Sequence, residues 1–143
     1  MTDRIKANDA PSIDAAQLVS QAIAALKRAY VPYSRYPVGA AVLADNGHVY
    51  TGCNIENAVY PLTICAERVA ITKAISEGAR HILALAVATV NGGTPCGSCR
   101  QVMQEFGAPA LPVFIARTDG SYRQRTLVEL LPEGFSAVDL PGA

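Results

Sequence analysis

Two short pieces of this chain, Cys65-Ala66-Glu67 and Pro95-Cys96-Gly97-Ser98-Cys99, carry three of its four cysteines and one carboxylate. Three thiolates bind Zn²⁺ and leave one tetrahedral position open, which suits a catalytic zinc; a structural zinc is normally closed by four protein ligands. Glu67 is a hard oxygen donor beside a soft sulfur, so it suits proton transfer better than metal ligation. Cys96-Gly97-Ser98-Cys99 alone also fits a thioredoxin-like dithiol, but that reading leaves Cys65 and Glu67 without a task. A closed, non-enzymatic zinc module with Cys53 as the fourth thiolate is the other alternative. Cys53 sits inside a strand-like run, where a cysteine more often serves as a small buried hydrophobe.

The elements that must position these groups follow from periodicity and punctuation. A first helix is expected over residues 13–30, capped by Ser12, with Leu18, Ala22, Ala25, Leu26 and Ala29 at helical spacing and Pro32 beyond its end. Residues 38–44 and 48–53 read as strands joined by Asp45-Asn46-Gly47. A helix over residues 65–78 stops at Gly78, and its apolar residues spread around much of its circumference, which predicts burial on several sides. Residues 82–90 form an almost unbroken apolar run, as expected of a central strand covered on both faces. After the loop Asn91 to Pro95 come a helix over 96–106, strands over 110–116 and 122–126, and a short helix over 127–131. That order implies a mixed sheet covered by helices. Both cysteine pieces open helices in this reading, so positive helix ends face the thiolates and favour their ionised form. Arg68 and Arg100 each follow a ligand and are candidates to hydrogen-bond sulfur and offset its charge.

Composition narrows the partners. At 143 residues and 50% apolar, the chain is expected to form one domain, residues 1–143, with residues 1–11 flexible. Twelve basic and twelve acidic residues cancel, and no basic run is present to track phosphates, so nucleic acid is not an expected partner. The longest apolar stretch, residues 82–88, is too short to span a bilayer, and the polar N-terminus does not resemble a secretory signal. A cytoplasmic protein without a membrane partner is the expectation. His48 and His81 read as exposed bystanders.

The pattern Cys-Ala-Glu, thirty-one residues from first to second cysteine, then Pro-Cys-x-x-Cys, resembles the cytidine deaminase family. Tyr33-Ser34-Arg35-Tyr36-Pro37-Val38-Gly39-Ala40-Ala41, Gly52-Cys53-Asn54-Ile55-Glu56-Asn57-Ala58 and the Leu130-Leu131-Pro132 to Phe135 segment resemble the small homotetrameric members. The resemblance implies a three-layer α/β/α fold around a mixed five-stranded sheet. It also implies hydrolytic deamination of cytidine and 2′-deoxycytidine to the uridines, with one Zn²⁺ per chain on Cys65, Cys96 and Cys99. An activated water would attack C4 while Glu67 delivers protons to N3 and then to the leaving amine. Asn54 and Glu56 match the residues that bind the ribose; loop chemistry is their alternative use. Tyr36 stands where relatives often have a stacking Phe, and its added hydroxyl needs a partner if buried. Ala58, Tyr60 and Phe135 match positions that reach a neighbouring subunit's substrate, implying a homo-oligomer, expected as a tetramer.

Overall fold

The computed structural model describes residues 10–142, and the N-terminal segment for which flexibility is expected lies mostly outside them. Its elements are α1 (Ala15–Leu26), β1 (Gly39–Ala44), β2 (Val49–Cys53), α2 (Ala66–Ser76), β3 (Ile82–Thr89), α3 (Gly97–Phe106), β4 (Pro112–Arg117), β5 (Tyr122–Thr126) and α4 (Leu127–Leu130). The five strands form one mixed sheet in the order β2-β1-β3-β4-β5. Only the β3–β4 pair is parallel, with Leu85 beside Val113 and Thr89 beside Arg117, because α3 forms the crossover between those strands.

Alternation along the strands divides the core between two faces. Ala40, Val42, Leu85, Val87, Val113 and Ile115 face α2 and α3, packing with Ala70, Ile71 and Met103. Ala41, Leu43, Ala84, Ala86, Ala88, Phe114 and Ala116 face the other way and pack with Leu18, Val19 and Ala22 of α1. The fold is therefore α/β/α in three layers. β3 is covered on both sides, as its apolar run requires, whereas β5 presents exposed Arg123, Gln124 and Arg125, which discourage edge pairing.

Three expectations change. Asp14, not Ser12, caps α1, accepting a hydrogen bond from the Gln17 N–H at 3.0 Å. The helix ends at Leu26, short of residue 30, because Tyr30 is committed to extended pairing: its N–H donates to Asn54 O and its carbonyl accepts from the Glu56 N–H. α2 is buried along one face through Ala66, Glu67, Ala70, Ile71 and Ala74, and it leaves Thr72, Lys73 and Ser76 exposed. The charged and hydroxyl-bearing side chains decide that asymmetry. His48 and His81 are exposed, as expected.

α2 is seated by the absence of a side chain at Gly52. A Cβ there would lie 2.6 Å from the Ala66 carbonyl oxygen and 2.7 Å from Ala70 N, both backbone atoms of α2 that cannot yield singly. Gly52→Ala should therefore lift the start of α2 off β2 and cost about 1–3 kcal/mol of stability, the usual range for overpacking. Urea unfolding checks this, and a midpoint equal to that of the parent chain would show that the close approach is unimportant.

Candidate active site and metal centre

Cys65 and Cys96 occupy the N-cap positions of α2 and α3, both in extended backbone conformation and neither using its side chain as a cap. Ser, Thr, Asp or Asn normally holds such a position, so sulfur here leaves the capping task undone and stays free for another partner. Cys99 lies three residues after Cys96, and an N-cap side chain faces the third residue of its helix. Their sulfurs accordingly stand 3.5 Å apart. α2 brings the Cys65 sulfur to 3.7 Å from that of Cys96. Zinc at about 2.3 Å from each sulfur would hold them roughly 3.8 Å apart, so the three fit a single ion. Cys53, half-buried at the end of β2, is outside the cluster.

Electrostatics also call for a cation. The hydrogen bond from Cys99 and the Arg68 guanidinium pull Cys65 down to about 5, while Cys99 is pushed far up by that same bond and by burial. One thiolate is thus easily formed and further ones repel it, an imbalance a divalent cation would remove. Arg68 Nη2 donates to the Cys65 sulfur at 3.6 Å and to the Thr63 carbonyl at 3.4 Å, as expected of a charge compensator. Arg100 departs from its expected role. It donates to the Pro95 carbonyl at 2.8 Å, the Leu130 carbonyl at 2.7 Å and the Thr94 hydroxyl at 3.2 Å, and so ties down the loop that delivers Cys96.

Glu67, the second residue of α2, is 3% exposed. Burial, reinforced by the nearby Cys65 charge, raises its carboxyl to about 7. It lines a cavity of 230 Å³ with Tyr36, Val38, Asn54, Thr63, Cys65, Val87, Thr89, Gly93 and Cys96. The cavity opens beyond the carboxyl end of β3, the end at which α/β sheets present ligand sites. A larger groove of 330 Å³ along Gln104, Leu127, Leu131 and Glu133 shares no lining residue with it.

The remaining candidates divide. Asn54 reaches the cavity but spends its amide on backbone, accepting from the Val38 N–H at 2.9 Å and donating to the Tyr36 carbonyl at 2.8 Å. Glu56 does not line the cavity; its carboxylate accepts from the N–H groups of Tyr33 at 2.9 Å and Ser34 at 3.1 Å. The Ser34 hydroxyl and these amides hold its carboxyl below the usual range. Ala58 and Tyr60 are exposed, and Tyr60 packs edge-on against Tyr33 with ring centroids 5.7 Å apart. Phe135 is 58% exposed, its carbonyl held by Gln101 at 2.7 Å and Gln104 at 3.0 Å. Thr89, Asn91 and the two glutamines went unnoticed in the sequence. Thr89 alone left a signal, a hydroxyl closing an apolar strand.

A family model, the cytidine and deoxycytidylate deaminase zinc-binding region, matches residues 12–115. The chain belongs to this family. It is similar to the cytidine deaminase of Sporosarcina psychrophila, 47% identical over 90% of this chain and 96% of the relative, and to that of Mycobacterium tuberculosis H37Rv, 45% identical over 92% and 96%. Among solved structures, the cytidine deaminase of Burkholderia pseudomallei superposes with a TM-score of 0.81 at 42% identity, covering 86% of this chain and all of that one. The Mycobacterium tuberculosis structure gives 0.77 at 43% identity, covering 87% and 99%. Family and sulfur cluster together fit one zinc per chain.

Metal analysis of the four single Cys→Ala proteins should show zinc lost on replacing Cys65, Cys96 or Cys99 and retained on replacing Cys53. Retention by Cys65→Ala with loss from Cys53→Ala would reverse the assignment.

Proposed function

We infer that this chain catalyses the hydrolytic deamination of cytidine and 2′-deoxycytidine to uridine and 2′-deoxyuridine, releasing ammonia. The observation that carries the reading is a buried carboxyl, Glu67, in one cavity with a zinc-ready set of three sulfurs, in a member of this family. When bound to Cys65, Cys96 and Cys99, zinc supplies Lewis acidity that makes a water nucleophilic near neutral pH. Glu67 takes one proton from the attacking water and gives it to N3 of the base as the C4–O bond forms. It then carries the second proton, from the new C4 hydroxyl, to the amine, which leaves as ammonia when the C4–N bond breaks, with C4=O and N3–H remaining. Burial, the main influence on this carboxyl, favours its protonated form, and a carboxyl that can hold as well as release a proton suits both transfers. Tyr36, Val38 and Val87 form the wall against which the base packs; Asn54 lines the side that meets the sugar, and Glu56, outside the lining, supports that side by holding the Tyr33 and Ser34 amides.

The whole chain serves as one deaminase domain acting in the cytoplasm. Among the described residues no helix is long and apolar enough to cross a membrane. Free nucleosides are the substrates; a chain of zero net charge lacks the field that draws polynucleotides. We further propose a homo-oligomer, a tetramer, in which Ala58, Tyr60 and Phe135 reach a neighbouring copy's pocket. Val59, Tyr60, Leu62, Ile64 and Tyr33 are all exposed near the start of α2, more apolar surface than an isolated chain gains from showing.

Glu67→Gln should keep zinc and fold but lose turnover of cytidine by roughly 10²- to 10⁴-fold, the scale of a lost general acid/base. Near-normal ammonia release by the zinc-loaded variant would remove Glu67 from the reaction.

Sedimentation should give an assembly, and Phe135→Ala should raise KM for cytidine with one zinc per chain retained. A fully active monomer would count against both the shared pocket and the role given to Phe135.

A further inference from the structure

Asn91 does not line the cavity, yet its side-chain carbonyl joins two groups that do. The Tyr36 hydroxyl donates to Oδ1 at 2.6 Å and the Thr89 hydroxyl at 3.3 Å, while Thr89 accepts from the Gly93 N–H at 2.7 Å. Thr89 is 3% exposed and shares with Glu67 the distinction of being a buried polar or charged side chain among the described residues. Gly93 is not in the left-handed region. A side chain is excluded there by the Tyr36 hydroxyl itself, which a Cβ would meet at 2.7 Å, whereas Asn91 Oδ1 and Thr89 Oγ1 would be at an ordinary 3.6 Å. The backbone of Tyr36 is held by Asn54 at one end and its ring tip by Asn91 at the other.

We infer that Asn91 is a positioning residue for the substrate pocket, acting through Tyr36. By accepting the phenol it fixes the tip of the ring, and therefore its χ1 setting and its place along the wall, while Gly93 is kept bare to admit the hydroxyl. A ring free at that end would wander within its staggered wells and stack less well on a base. The inference rests on the deaminase reading, because the ring matters as the wall for a pyrimidine. The network also ties the pocket wall to the loop running from β3 to Cys96.

Steady-state kinetics of ammonia release from cytidine, with zinc content measured in parallel, test it. Asn91→Ala should raise KM about three- to tenfold, the span of one uncharged hydrogen bond, with kcat within about twofold and zinc unchanged. Asn91→Asp, which keeps an acceptor, should preserve KM. Tyr36→Phe should match Asn91→Ala, and the double variant should be no worse than either alone. The contact has a second readout that needs no activity: Gly93→Ala should lower Tm, and adding Tyr36→Phe should recover most of the loss. An unchanged KM in Asn91→Ala, effects that multiply in the double variant, or a Gly93→Ala defect that Tyr36→Phe leaves in place would each overturn the inference. A parent chain that does not release ammonia from cytidine would overturn the deaminase reading instead, with the melting data still deciding the contact.

Discussion

Two helix N-termini aimed at one point impose the main constraint on this molecule. Cys65 and Cys96 each begin a helix in place of an ordinary capping residue, and Cys99 completes the group from the first turn of α3. Three sulfurs this close repel when ionised, so the arrangement is costly unless a cation neutralises it. The helix ends reduce that cost by presenting N–H groups and positive dipole ends, and Arg68 adds a charge at the Cys65 sulfur. Metal affinity and the stability of this corner of the fold are therefore one quantity.

The rest of the structure holds the two helix starts in register. Gly52 lets α2 lie directly on β2, and β3, buried on both faces, delivers the loop that becomes α3. Loops around the cavity are pinned by side chains that spend their hydrogen bonds on backbone. Asn54 and Glu56 hold residues 33–38, Arg100 holds Thr94 and Pro95, and Gln101 with Gln104 holds the turn that displays Phe135. Irregular backbone can be rigid at a cavity mouth only if its polar groups are met in this way. The same side chains that a sequence reading assigns to substrate therefore also serve the scaffold, and Asn54 and Glu56 do so directly.

Glu67 illustrates how one position acquires its chemistry. As the second residue of a helix it would ordinarily be a solvated carboxylate welcomed by the dipole. Packed beneath the cavity and 3% exposed, it instead keeps its proton to about pH 7. Desolvation outweighs the backbone N–H, the Cys99 thiol and the Arg68 charge that favour the carboxylate, and the Cys65 thiolate works in the same direction as burial.

Much of this was legible in the chain itself. Strand and helix order, the apolar run of β3 and the cysteine spacing all depend on local periodicity or on residues a few positions apart, and local geometry follows from local sequence. Cys-x-x-Cys at a helix start must bring its sulfurs together whatever surrounds it. The meeting of Cys65 with Cys96, thirty-one residues away, was readable only as a pattern, and the sheet order decides it physically. The end of α1 depended on Tyr30 pairing with residues 54–56, and the different tasks of Arg68 and Arg100 on which carbonyls lay within reach. The destination of Glu56 and the bond from Tyr36 to Asn91, fifty-five residues apart, were settled likewise. By itself the sequence determined which elements form and which groups can do chemistry; tertiary structure alone decided which backbone amides, carbonyls and hydroxyls those groups meet, because hydrogen-bond partners are chosen by distances of a few tenths of an ångström that no spacing along the chain encodes.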